Sequence, residues 1–126
     1  MKIELDSNST GINIISSYSK DGIVIDGTVY QKSIVISPNE IIDDWSPQSF
    51  SDLMLDHFQE IIGLSPEILL IGTGQMLRFP EDRVLELLMK NKIGVEVMDT
   101  GAACRAYNFI AGEGRLVIAA LLPLEG

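Results

Sequence analysis

The runs Ile68-Leu69-Leu70-Ile71, leading into Gly72-Thr73-Gly74, and Ile93-Gly94-Val95-Glu96-Val97-Met98, leading into Asp99-Thr100-Gly101-Ala102-Ala103, decide how this chain folds. Each is a short apolar stretch that ends in turn-forming residues and gives way to helical spacing. Runs of this length suit buried strands, because helices need longer periodic patterns. The reading is a strand over Ile68–Ile71, a helix over Pro80–Asn91, a strand over Ile93–Met98, a short helix over Gly101–Ile110 and a strand over Arg115–Leu122. Strand-helix-strand alternation implies right-handed crossovers that gather the loops after the strands at one sheet edge. The direction of the last strand stays open.

Upstream the pattern differs. Asp21-Gly22 and Asp26-Gly27 are hairpin-turn dipeptides, and Ile12–Tyr18, Ile23–Ile25 and Val29–Ile36 are rich in β-formers, so an antiparallel meander is expected up to Ser37-Pro38. Ser46 and Pro47 suit the cap and first turn of a helix that would run to Gly63. Phe50, Leu53, Met54, His57, Phe58, Ile61 and Ile62 would form its apolar face, opposite Asp52, Asp56, Gln59 and Glu60.

With 126 residues, 46% of them hydrophobic, the chain reads as one α/β domain over residues 1–126. A chain this long buries roughly two thirds of its unfolded surface without disulfides or a structural metal. Eighteen acidic against nine basic side chains give a net charge of -9, which repels phosphate polyanions and disfavours nucleic-acid binding. Apolar runs such as Leu116–Leu122 are far shorter than the roughly 20 residues of a membrane span. The first eleven residues carry Glu4 and Asp6 and no apolar signal core, so a cytoplasmic location is expected.

The candidate chemistry is concentrated in the two loops. Gly72 and Gly74 would let backbone amides approach a small anion, and Asp99 or Thr100 would cap a helix whose N-terminus attracts negative charge. The competing reading is a tight turn and a helix cap, because neither the dinucleotide nor the phosphate-loop glycine pattern is present. Cys104 is the single cysteine, either a buried inert thiol or a thiolate favoured by the helix start and Arg105. His57 is the single histidine, and packing suits it better than metal ligation or a dyad with Cys104. Arg105, Tyr107, Asn108 and Arg115 are polar candidates for the same edge. Arg105 would bind a carboxylate and Asn108 would fix a strand; alternatively either would satisfy the acidic loops Asp43-Asp44 or Asp99. Trp45 with Met76, Leu77 and Phe79 would make a partner-binding patch; alternatively Trp45 closes the sheet edge and Phe79 staples the next helix.

Read together, Ile71-Gly72-Thr73-Gly74, Gly94 to Thr100, Ala103, Arg105, Tyr107-Asn108 and Glu113-Gly114-Arg115, with Gly27, Tyr30, Ser33-Ile34 and Trp45 before them, resemble a known family. It is the small-domain family of unknown function that includes the mitochondrial respiratory complex I (NADH dehydrogenase) assembly factor 3 and the adipogenesis-associated protein. The resemblance spans nearly the whole chain. It implies a single three-layer domain with a central mixed sheet, no established catalysis and no cofactor, and it is compatible with a role in protein contacts. Without a visible presequence the chain is expected to depart from the mitochondrial form, which argues against mitochondrial assembly, and Ala106, where many relatives have Thr in an Arg-Thr-Tyr-Asn string, weakens any proposal of a catalytic hydroxyl there.

Two functional readings follow. The first is a cytoplasmic interaction or assembly-type domain with a protein partner or self-association. The second is an enzyme or sensor that binds a small anion between the Gly72-Thr73-Gly74 and Asp99–Ala103 loops, with Cys104 or Asp99 near the ligand and Arg105 or Arg115 pairing its charge. No catalytic residue and no metal site is assigned.

Overall fold

The computed structural model describes residues 11–124. Two sheets are present. Strands β1 (Ile15–Ser19), β2 (Gly22–Ile25) and β3 (Thr28–Tyr30) form an antiparallel ribbon. Asp26 and Gly27 both take positive φ, 50° and 81°, as the two-residue turn between β2 and β3 demands. The second sheet has the order β5-β4-β8-β6-β7, from β4 (Ile34–Ile36), β5 (Ile41–Ile42), β6 (Ile68–Gly72), β7 (Gly94–Met98) and β8 (Val117–Leu121). Strand β6 lies parallel to β7 and β8, while β4 is antiparallel to β5 and β8. The sheet is therefore mixed, and the last strand is central and parallel to its β6 neighbour.

Alternation along the central strands builds two cores. Ile34, Ile36, Leu70, Val117, Ala119 and Leu121 face one side, where α3 (Thr100–Gly112) and Ile15, Ile23 and Ile25 of the ribbon cover them. Val35, Leu69, Ile71, Ile118, Ala120 and Leu122 face the other, under Phe58, α1 (Gln59–Gly63) and α2 (Asp82–Lys90). Three layers result, with β4, β6 and β8 buried on both faces.

Two expectations are corrected. Val29–Ile36 is not one strand of the meander, since β3 and β4 belong to different sheets. The break falls at Ser33, whose amide donates to Gln48 Oε1 at 3.1 Å and whose carbonyl accepts from the Trp45 amide at 3.2 Å, outside any strand ladder. Nor does a continuous helix span Ser46–Gly63. Only α1 is α-helical, after 3₁₀ turns at Phe50–Asp52 and Leu55–Phe58 separated by extended Leu53 and Met54. Those turns share the three-residue spacing that suggested a helix. The Trp45 indole donates to the His57 carbonyl, and the Met54 amide donates to His57 Nδ1 at 2.9 Å, which holds the chain in this broken course. The helix expected at Gly101–Ile110 is longer, thirteen residues from Thr100.

Gly72 sets the spacing between β6 and α3. A Cβ there would stand 2.9 Å from Leu121 Cδ2 and 3.0 Å from the Thr100 Cα. Gly72→Ala is expected to lower stability by roughly 1–3 kcal/mol, read from the urea midpoint, because the packed core cannot yield. Gly63→Ala, with nothing within 4 Å of its new methyl, serves as control. Equal midpoints for the two variants would show that close approach does not constrain this site.

Candidate functional site

Because β6 and β7 are parallel neighbours, the loops that follow them emerge side by side, and the loop after β6 leads to α2 on one face while that after β7 leads to α3 on the other. In α/β sheets such a divergence opens a crevice suited to ligands. Here the crevice is laced shut. The Thr73 amide donates to the Met98 carbonyl at 2.9 Å, and the Thr100 amide to the Gly74 carbonyl at 2.9 Å. The Thr100 hydroxyl, fully buried, accepts from the Gly74 amide at 2.8 Å and donates to the Leu122 carbonyl at 2.7 Å. Thr73 Oγ1 faces the Met76 carbonyl at 2.7 Å and accepts from the Arg78 amide. Asp99 Oδ1 accepts from the Ala102 amide at 2.8 Å, capping α3. Gly72, Thr73, Gly74, Asp99 and Thr100 are thus brought together, with their polar groups turned on one another.

The remaining sequence candidates sit elsewhere. Ala103 is on the buried face of α3, in the core. On the flank of that helix the Asn108 side chain donates to the Ile15 carbonyl and accepts from the Ile15 amide, both at 2.8 Å, acting as a strand partner for the edge of the ribbon. The buried Tyr107 phenol donates to the Asn13 carbonyl at 2.8 Å, and burial pushes its pKa well above the ordinary tyrosine value. Arg105 donates to the Tyr18 hydroxyl and lies 5.9 Å from the centre of that ring, so neither Asp99 nor Asp43-Asp44 takes its charge. Arg115 does not join the Gly72 edge: it precedes β8, at the opposite end of the sheet, and pairs with Glu67 at 3.5 Å. His57 and Cys104 lie on opposite faces of the sheet, which removes the dyad. Among the described residues no three His, Cys, Asp or Glu side chains come together as a metal would need.

An open feature lies just beyond the laced loops. A cavity of about 160 Å³ is walled by Gln48–Ser51 on one side and by Thr73–Met76 and Arg78 on the other, with Leu122 and Pro123 between. The Arg78 guanidinium stands 5.8 Å from the centre of the Phe50 ring, within cation–π range. Beside it Met76, Leu77 and Phe79 are 60%, 51% and 66% exposed. Trp45 is not part of this patch. It is 5% exposed and packs edge-on against Phe58 at 5.8 Å. Phe79, being exposed, does not staple α2. Sequence reasoning passed over Arg78 and the opposite wall because Gln48–Ser51 read as helix. The signal available was a lone cation inside Met76-Leu77-Arg78-Phe79-Pro80, an apolar run no core would accept.

Residues 15–122, from the ribbon to the end of the central sheet, match a family described as "Protein of unknown function (DUF498/DUF598)". The chain belongs to this family. A Xenopus tropicalis protein named NADH dehydrogenase (ubiquinone) 1 alpha subcomplex assembly factor 3 is 32% identical over 121 residues, covering 94% of this chain and 66% of its own length. This chain thus spans just under two thirds of that relative. A Francisella tularensis protein named "13 kDa major membrane protein" is 25% identical over 101 residues, 79% of this chain and 82% of that protein. The crystal structure of a Bordetella parapertussis protein, 34% identical, superposes with a TM-score of 0.84 over 91% of this chain and 98% of that one. In this DUF498/DUF598 chain, Tyr107-Asn108, part of the string on which the resemblance rested, ties the ribbon to α3.

Cys104 is 1% exposed, and burial pushes its thiol up to about 12 from an ordinary 9.0, against the opposing pull of Arg105. Burial thus favours the neutral thiol over the thiolate in the folded chain. Iodoacetamide at pH 8 should label it on the order of a hundredfold more slowly in the native protein than in urea, since the thiolate is the nucleophile. The raised value favours the neutral form in the folded state, so the stability it contributes is whole below pH 9 and is lost as pH rises towards 12. Cys104→Ala should flatten that part of the alkaline unfolding profile. Equal labelling of native and unfolded protein would show that the thiol is accessible.

Proposed function

We propose that this chain is a protein-interaction domain of the assembly-factor type, docking a partner through the exposed segment Gln75–Phe79 and the cavity beside it. The observation that carries this reading is the contrast between the two parts of one sheet edge. The loops best placed for a ligand spend their amides and hydroxyls on each other, whereas Met76, Leu77 and Phe79 leave large apolar side chains in water. Grouped exposed apolar side chains beside a charge suit a protein interface, in which a few aromatic and arginine anchors supply most of the binding energy. Relatives named as complex I assembly factors support the same class of role. The rival, a small anion bound between Gly72–Gly74 and Asp99–Ala103, would have to break the bonds from Thr100 to Gly74 and Leu122 before the Gly74 amide or the Thr100 hydroxyl could donate to it.

A tagged chain expressed in its native cells should co-purify with one or more stoichiometric partners, and Phe79→Asp should abolish this without moving the thermal midpoint by more than a degree or two. Phe109→Asp, an equally exposed site on α3 against the other face of the sheet, should leave capture intact. Capture lost equally in both variants, or in neither, would count against the Gln75–Phe79 surface.

A cytoplasmic setting is part of the proposal. The net charge of -9 repels anionic lipid, and no helix among the described residues is long and apolar enough to cross a membrane. Fractionated cells should hold the chain in the high-speed supernatant at physiological salt. Recovery with the membranes after a high-salt wash would align it with the relative named as a membrane protein.

A further inference from the structure

We infer that the face formed by Arg78, Phe50 and Phe79 docks a peptide segment that presents one carboxylate beside a bulky apolar side chain. The inference rests on the interaction reading and names the chemistry of the partner. Its first support is the state of Arg78. In a chain with 18 acidic and 9 basic side chains, Arg83 lies 3.6 Å from Glu81, Arg115 pairs with Glu67, and Arg105 is held by Tyr18. Arg78 forms no ion pair with any described residue, and its guanidinium is directed over the Phe50 ring instead. Its guanidinium N–H groups have no hydrogen-bond partner among the described residues. A planar fork of donors suits a carboxylate, which it can bind through two parallel hydrogen bonds.

The second support is shape. Next to the cavity beside Arg78 lies a groove of about 300 Å³ lined by Phe50, Ser51, Leu53, Phe79, Pro80, Glu81 and Val84. Phe50 and Ser51 border both spaces, so one extended segment would place its carboxylate at Arg78 and an adjacent apolar side chain in the groove. The Ser49 and Ser51 hydroxyls, 3.1 Å apart, stand at the junction as further hydrogen-bonding groups. The third support is charge. Glu81 borders the groove, Asp52 follows Ser51, and the field of the whole chain is negative. A single carboxylate gains the fork of Arg78, whereas an acidic tract or a phosphate dianion also meets this repulsion. The same field disfavours a second copy of the chain as the occupant.

The test is selection from a random-peptide phage library on immobilised wild-type protein, followed by fluorescence anisotropy with one selected peptide and its Glu→Gln or Asp→Asn counterpart. Selected sequences should pair an acidic residue with Leu, Ile, Phe or Trp within three positions. Arg78→Gln should weaken the acidic peptide by roughly tenfold and leave the amide peptide unchanged, as expected for a charge-assisted hydrogen bond. Phe79→Ser should weaken both. Selection without acidic residues, or equal weakening of both peptides by Arg78→Gln, would overturn the inference. If the native partner is still captured through Phe79 in either case, the interaction reading survives alone; if that capture also fails, the reading itself falls.

Discussion

The Thr100 hydroxyl is the point at which three strand ends are joined. Fully buried, it accepts from the amide of Gly74, beyond β6, and donates to the carbonyl of Leu122, beyond β8, while its own residue opens α3 directly after β7. A buried donor or acceptor without a partner costs about 1–3 kcal/mol, so this one side chain meets the needs of two separate loops, the Gly74 amide and the Leu122 carbonyl. It can do so only because Gly72 has no Cβ to hold the helix away. Position of the helix, closure of the crevice and course of the loop towards Arg78 all depend on that contact.

The second half of the chain was legible because its strands are short, apolar and bounded by turn residues, and strands buried on both faces show this whatever their neighbours do. Ile68–Ile71 and Val117–Leu121 could hardly be anything else. What escaped the sequence is what depends on distant partners. Ser46–Gly63 has the spacing of a helix, but its course is imposed by the Trp45 indole on His57 and by Gln48 on Ser33 and Trp45. The division of Val29–Ile36 between two sheets likewise depends on residues twelve and fifteen positions downstream of Ser33.

At the candidate site the pattern is similar. The neighbourhood of Gly72-Thr73-Gly74 and Asp99-Thr100 followed from two parallel strands, and the sequence permitted either a pocket or a turn and cap. The hydroxyl bonds of Thr73 and Thr100, which support the turn and cap, are contained in no spacing rule. Arg78 illustrates the opposite case. Its loop was conspicuous for exposed apolar residues, yet Phe50, the aromatic beneath it, lay in a segment assigned to a helix. The site was visible in halves whose apposition only the fold supplies.

The central position of β8 bears on how the chain is made. Strand β8 lies between β4 and β6, and β4 has no other partner except the two-residue β5. During synthesis the edges of β4 and β6 therefore remain open until residues 117–121 have left the ribosome. Until then the apolar strands 34–36 and 68–72 are available to other nascent chains or to holdase chaperones, since unpaired edges invite association. A truncation that removes β8 would lose more than one strand, because it separates the two halves of the sheet.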